Sequence, residues 1–234
     1  MPYYSCRGAS VVMLEKAMVL PTYKEMAYQL IKEAILYQRL KVGEVYSQDG
    51  LCTDFGINRT PVREALLELQ KEGHINFLRG RGIEIVPITR KQAEDIVEMR
   101  FIIEMAGSEL AAQRRTKQHL DQLKANIDEM EINMREADPV FMYKLDRKFH
   151  IHLFEAADNE RMLETIENLR DQFLKLETLD AFNNPQKSLQ VLQEHQKIFD
   201  AVLSGDAVLA NSAMKHHLNN TYERTVTPVM NRFI

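Results

Sequence analysis

The stretch GINRTPVREALLELQKEG, residues 56–73, decides how the first part of the chain is read. Val62, Ala65, Leu66 and Leu69 fall at i, i+3, i+4 and i+7, one face of a helix that ends at Gly73. Pro61 is tolerated near the entrance because the first-turn N–H groups of a helix have no partner inside it. Arg59 and Arg63 stand four residues apart, to the side of the apolar stripe. A helix held by its leucines therefore presents two guanidinium forks outward. Such forks bind guanine edges or phosphates bidentately, and Asn58 and Thr60 can bond phosphates near the helix N-terminus.

Working outward, Tyr23, Ala27, Leu30, Ile31, Ala34 and Ile35 keep helical spacing, so a first helix is expected over about residues 22–38. Ser47 can cap a short second helix with Leu51 and Phe55 inward, stopped by Gly56. After Gly73 the period changes: HINFL and IEIVPI read as two short strands joined by RGRG at residues 79–82. Three helices followed by a hairpin make a winged helix-turn-helix, in which the third helix enters the major groove of double-stranded DNA. Gly80 and Gly82 let the backbone at the wing tip approach a groove closely. Taken alone, Arg59 and Arg63 could equally decorate a solvated helix start. The preceding helix-turn and the basic hairpin tip favour DNA.

From Thr89 onward no strand signal remains. Amphipathic helices are expected at about 90–114, 117–136, 139–157, 159–180, 186–204 and 206–226, with Asp138-Pro139 as a cap and first helical residue. The fold class is therefore mainly α. An N-terminal winged helix-turn-helix (residues 21–88) precedes a C-terminal all-α antiparallel helical bundle (89–234), and residues 1–20 form a loosely ordered leader. That leader lacks the basic start and apolar core of a signal peptide. No apolar run approaches the ~18 residues of a transmembrane helix, so no membrane role is expected. Two cysteines, Cys6 and Cys52, are too few for a disulfide framework and fit a reducing cytoplasm. The net charge of −4 is unevenly spread. Residues 1–90 carry 12 Lys and Arg against 10 Asp and Glu, and residues 91–234 carry 18 against 24. A mildly basic front on an acidic back hints at separate tasks.

The helical half carries its own constellation. In DPVFMYKLDRKFHIHLFEAADN (residues 138–159), Asp146 and His150 lie at i, i+4 and border an arc of Met142, Leu145, Phe149 and Leu153. His195 sits among Leu192, Phe199 and Val202, and His217 shares a face with Ala210, Ala213, Met214 and Thr221. His216 points away from that stripe. Three inward histidines and an inward aspartate from three helices suit a divalent transition metal: zinc or nickel first, manganese or iron as other candidates. A single buried histidine is more often a hydrogen-bonded core residue, but four such groups rarely converge by chance. Arg100 lies in line with Ile96, Ile103, Gly107 and Leu110, where a charge is costly unless paired. It is either a buried salt bridge, with Glu104 or a carboxylate on another helix, or a clamp for an effector carboxylate.

NRTPVREALLELQKEGHI, residues 58–75, resembles the signature of the GntR family of bacterial transcription regulators, which runs close to S-R-T-P-V-R-E-A-L-x-x-L-x-x-E-G. The resemblance covers about residues 22–88 and implies that Arg59, Thr60 and Arg63 contact operator DNA, with Gly80 in the wing. One departure stands out: SQDGLCTDFG places Asp49 where the family carries an arginine that helps touch DNA, and Gly50 weakens the second helix. The order D-x-x-x-H, then H, then H similarly resembles the FCD (FadR C-terminal) domain over about residues 91–225, closer to the VanR-like branch than to FadR itself. That resemblance implies metal ligands at Asp146, His150, His195 and His217, a homodimer, and a small organic acid as effector.

The leading expectation is a metabolite-responsive transcription regulator, a repressor that binds a palindromic operator as a dimer, and not an enzyme, with no catalytic residues. The alternative is a metal-dependent hydrolase with an accessory winged-helix domain, which Glu194 beside His195 keeps open as a general base. A third reading is a purely structural metal site.

Overall fold

The computed structural model describes residues 21–135, 138–174, 182 and 184–230. The expected leader lies outside these residues, as does the end of the helix expected to reach residue 180.

The first helix, α1 (Tyr23–Leu36), begins at a capping box in which Thr22 and Glu25 satisfy each other's backbone N–H groups. Helix α2 (Gln48–Phe55) starts where the Ser47 hydroxyl accepts from Gly50 N and ends at Gly56, φ 64°. Gly50 is thus accommodated at the cap. Helix α3 (Arg59–Lys71) buries the expected stripe of Val62, Ala65, Leu66 and Leu69. The hairpin follows as β2 (Ile75–Leu78) and β3 (Gly82–Ile85).

A short strand that periodicity did not suggest, β1 (Val45–Tyr46), completes an antiparallel sheet of order β1-β3-β2, with Val45 opposite Glu84 and Tyr46 opposite Ile83. Two residues are too few to show alternation. The strand also gives Gly82 a nearer reason than groove approach. Its φ is 115°, and a Cβ there would lie 2.2 Å from the Tyr46 carbonyl oxygen. Ile31, Ile35, Leu51, Leu66, Leu69, Ile75, Ile83 and Ile85 fill the core beneath this sheet. Each such side chain contributes about 1.5–3 kcal/mol when fully buried.

Seven further helices follow among the described residues. They are α4 (Arg90–Arg114), α5 (Lys117–Asn133), α6 (Pro139–Ala156), α7 (Glu160–Leu174), α8 (Pro185–Ser204), α9 (Ala207–Thr221) and α10 (Thr227–Met230). Thr89 and Gln92 form the capping box that opens α4, Pro139 opens α6, and Gly205 closes α8 in the left-handed region. Helix α4 runs through the middle and packs on α6, α7, α8 and α9. The last helix does not run unbroken to residue 226, because α9 stops at Thr221 and the chain widens into a π-helical turn, Tyr222–Val226. The wider turn brings Arg224 against Glu194 of α8, a contact between elements that helical periodicity cannot reveal.

Head and bundle are docked. Leu36 at the end of α1 joins the apolar core of the bundle, and the Tyr37 and Tyr143 rings meet edge-on at 6.1 Å. Lys32 reaches Asp171 of α7 at 2.9 Å, and Arg147 of α6 holds the same carboxylate at 3.0 Å. Among the described residues no helix is long and apolar enough to cross a membrane.

Candidate functional site

The exposed face of the head is built by the start of α3. Asn58 is its N-cap residue and makes no side-chain capping bond. Asn58, Arg59, Thr60 and Arg63 are all exposed, as are Gly80 and its neighbours Arg79 and Arg81 at the wing tip. The four helix-start residues are therefore open to solvent, while the apolar stripe behind them is buried. Asp49 of α2 lies 3.4 Å from the Arg59 guanidinium, with both side chains mostly in solvent. The departure at residue 49 thus puts a carboxylate beside one of the two arginines.

Inside the bundle, one ligand atom from each of Asp146, His150, His195 and His217 falls within 4.8 Å of the other three. Helix α6 supplies the first two, one turn apart, α8 the third and α9 the fourth. All four side chains are buried. The imidazole rings sit at the corners of a nearly equilateral triangle, with centroids 5.3, 5.2 and 5.0 Å apart. His195 stacks on Phe149 at 4.1 Å. Its Nε2 lies 3.3 Å from Asp146 Oδ1. Neither His150 Nε2 nor His195 Nε2 has a well-aligned hydrogen bond among the described residues. Buried polar atoms left in that state cost free energy, and a cation at the centre would satisfy them.

The protonation states suit a metal as well. Burial, helped by the nearby Arg170 guanidinium, lowers the His150 pKa to about 3, with Glu104 acting in the opposite direction. Burial also lowers the pKa of His195 against the pull of Asp146. For Asp146, burial favours the neutral acid, but Arg170 and the His195 contact outweigh it and keep the carboxyl well below the usual range. Neutral imidazoles and an ionised carboxylate are the forms that coordinate. The donor set therefore fits a divalent transition metal.

Around the four residues stand charges of which sequence reasoning noted only some. Arg170 of α7 binds Asp146 Oδ2 and comes within 3.6 Å of Glu104. Its signal was present in the sequence, since Arg170 falls on the same stripe as Ile166, Phe173 and Leu174 and is buried with them. Arg100 is not directed at the four ligands. Its Nε donates to Glu104 at 2.6 Å and its guanidinium lies 3.9 Å from the Phe173 ring centroid. Glu104 in turn lies 2.6 Å from His150 Nδ1, so Arg100 stands one residue removed from the cluster. Next to Arg100 is a cavity of about 10 Å³, bordered by Phe101, Phe173, Leu218 and Tyr222. That is room for about one water molecule.

Two known families cover this layout. Residues 23–85 match the bacterial regulatory proteins of the gntR family, and residues 95–220 match the FCD domain. The chain belongs to the GntR family, in its FCD branch. This GntR-family regulator is 27% identical over 199 residues to the HTH-type transcriptional repressor RspR of Escherichia coli, covering 85% of this chain and 87% of that one. It is 28% identical over 203 residues to the HTH-type transcriptional regulator LutR of Bacillus subtilis, covering 77% and 91%. In fold it is similar to E. coli McbR/YncC, with a TM-score of 0.79 at 16% identity over 92% of this chain and all of that one.

Membership makes the GntR-family protein a DNA-binding transcription regulator and removes the hydrolase alternative. The surroundings of Glu194 agree, because its carboxylate is occupied by His217, Asn220 and Arg224. A general base needs a free lone pair aimed at its substrate.

Proposed function

We propose that this GntR-family regulator is a repressor controlled by a small organic acid, acting in the cytoplasm as a homodimer on a palindromic operator. Residues 21–88 read DNA, and residues 89–234 bind metal and effector and hold the dimer together. Arg59 and Arg63 face the operator with Asn58 and Thr60 at the phosphates, and Gly80 follows the backbone from the wing. Two heads then lie one DNA turn apart, roughly 34–36 Å, or a multiple of it. The named activity of RspR supports repression as the mode.

The observation that carries the sensing half is the buried convergence of Asp146, His150, His195 and His217. These residues would hold zinc or nickel, with manganese or iron as alternatives. Such an ion supplies a Lewis-acidic anchor for an oxygen donor of the effector. Arg100 takes the effector's remaining negative charge. Its present partner Glu104 and the small cavity beside it mean that an effector must widen this region to enter. Binding therefore selects a conformation different from the closed one, and that difference is what can reach the heads. The docking of Leu36 and Lys32 on the bundle provides the mechanical connection.

The decisive experiment titrates metal-loaded protein against DNA from its own promoter region, with and without small carboxylates, alongside thermal shift. A carboxylate that raises the melting temperature only with metal present, and weakens operator binding, is the expected result. Purified protein that carries no metal and gains no stability from zinc, nickel or manganese overturns the sensing half. A monomer by light scattering, free and on DNA, overturns the dimeric half.

A further inference from the structure

Metal affinity depends on how donor atoms are aimed as well as on which residues carry them. An imidazole has two nitrogens, and the one that holds the proton cannot coordinate. At His217 the choice is made by a neighbour. Its Nδ1 lies 2.8 Å from Glu194 Oε2 in a hydrogen bond buried between α8 and α9. A carboxylate paired with Arg224 can only accept, so in a neutral His217 ring the proton belongs on Nδ1 and the Nε2 lone pair is left for an ion.

Glu194 is itself fixed in an unusually complete way. The Arg224 guanidinium grips it with both arms, Nη1 to Oε1 at 2.6 Å and Nη2 to Oε2 at 2.8 Å. Asn220 Nδ2 adds a third bond to Oε1 at 2.7 Å. Arg224 reaches this position from the π-helical turn rather than from a continuation of α9. On the opposite side, Glu104 stands 2.6 Å from His150 Nδ1 with Arg100 behind it. Among the described residues the carboxylate that approaches His195 is Asp146 itself, and the His195 ring stacks on Phe149.

Resting on the metal reading above, we propose that Glu194, clamped by Arg224 of the π-helical turn, is a positioning residue that commits His217 to coordinate through Nε2. The acid–base pair Glu194–Arg224 touches no ion. It works by fixing the ring and its tautomer, as carboxylates behind metal-bound histidines do. The π-helical turn is therefore part of the metal site's support, and Tyr222 and Val226 of the same turn also border the cavity beside Arg100.

The test uses the full-length protein with zinc and cobalt(II) as the probes. Zinc affinity is measured by competition with a chromophoric chelator, and the visible spectrum of bound cobalt reports the coordination sphere. Glu194→Gln and Arg224→Met are expected to lose about 10- to 100-fold in zinc affinity and to alter the cobalt spectrum. Arg224→Lys, which keeps one charged donor, should lose less. Glu223→Gln, exposed on the same turn, should match the parent protein. If a single variant fails to fold, the double variant Glu194→Gln/Arg224→Gln replaces the ion pair by a neutral hydrogen-bonding pair. It should still lose affinity. Parent protein that binds neither ion overturns the metal reading and this inference with it. If the parent binds, Asp146→Ala abolishes binding, and the Glu194 and Arg224 variants keep full affinity and an unchanged spectrum, only the positioning role is overturned.

Discussion

The two halves of the molecule keep their charges in opposite places. The head has an apolar interior of isoleucines, leucines, valine and alanine, and it carries Arg59, Arg63, Arg79 and Arg81 outside. The bundle has a larger apolar core, yet Arg100, Glu104, Asp146, His150, Arg170, Glu194, His195 and His217 are buried inside it. A surface that must meet a polyanion keeps its cations hydrated until contact, and its fold needs only hydrophobic packing. Charges buried away from water place their desolvation cost in the fold, and each then needs a partner. The exposed arginines of the head can therefore be removed without losing stability, whereas each buried charge of the bundle also supports its fold.

The largest expected effect tests that contrast directly. Arg170→Met leaves Asp146 and Glu104 without their shared cation and should destabilise the bundle by about 3–5 kcal/mol in chemical denaturation of the metal-free protein. Saturating zinc should restore part of the loss by supplying positive charge at Asp146. A variant as stable as the parent would show that the buried charges do not depend on one another.

Acid should separate the halves next. His150 titrates near 3 in the folded bundle against an ordinary 6.5, so the unfolded chain takes up a proton first as pH falls. Stability is complete above about 6.5 and drains away toward pH 3, and the low-held Asp146 and Glu104 steepen the loss below the normal carboxylate range. Hydrogen exchange on metal-free protein should show the bundle opening before the head. Simultaneous opening would mean that docking through Leu36 and Lys32 couples them fully.

Within the head, Leu66→Ala should cost about 2–5 kcal/mol of stability while leaving zinc affinity unchanged. Loss of zinc binding in that variant would contradict the division of labour. Arg63→Ala, by contrast, should fold normally and cost roughly 1–3 kcal/mol on operator DNA, relaxing preference at one position per half-site. If Arg59 and Arg63 can both be removed without loss of binding, α3 is not the reading helix. The smallest effect belongs to His216→Ala. It is exposed one residue from His217 and should change neither metal content nor effector binding.

Much of this was already present in the order of residues, and for local reasons. Helix starts at Thr22, Ser47, Thr89 and Pro139 depend on residues within one turn of each other, so caps and periodicity place them. The four inward polar groups were visible because each lies on an apolar stripe, where helical spacing betrays burial. The pairings were not visible. Arg170 with Asp146 and Arg224 with Glu194 join residues 24 and 30 apart on different helices, and no period links them. Strand β1 exists only because β3 offers it an edge, and Gly82 is required only because β1 comes so close. Hydrogen bonds and ion pairs between elements depend on distance in space. The sequence by itself determined which faces turn inward and which residues they carry. The tertiary structure alone decided which buried charge neutralises which, because a charge is stabilised by whatever lies within a few ångströms of it.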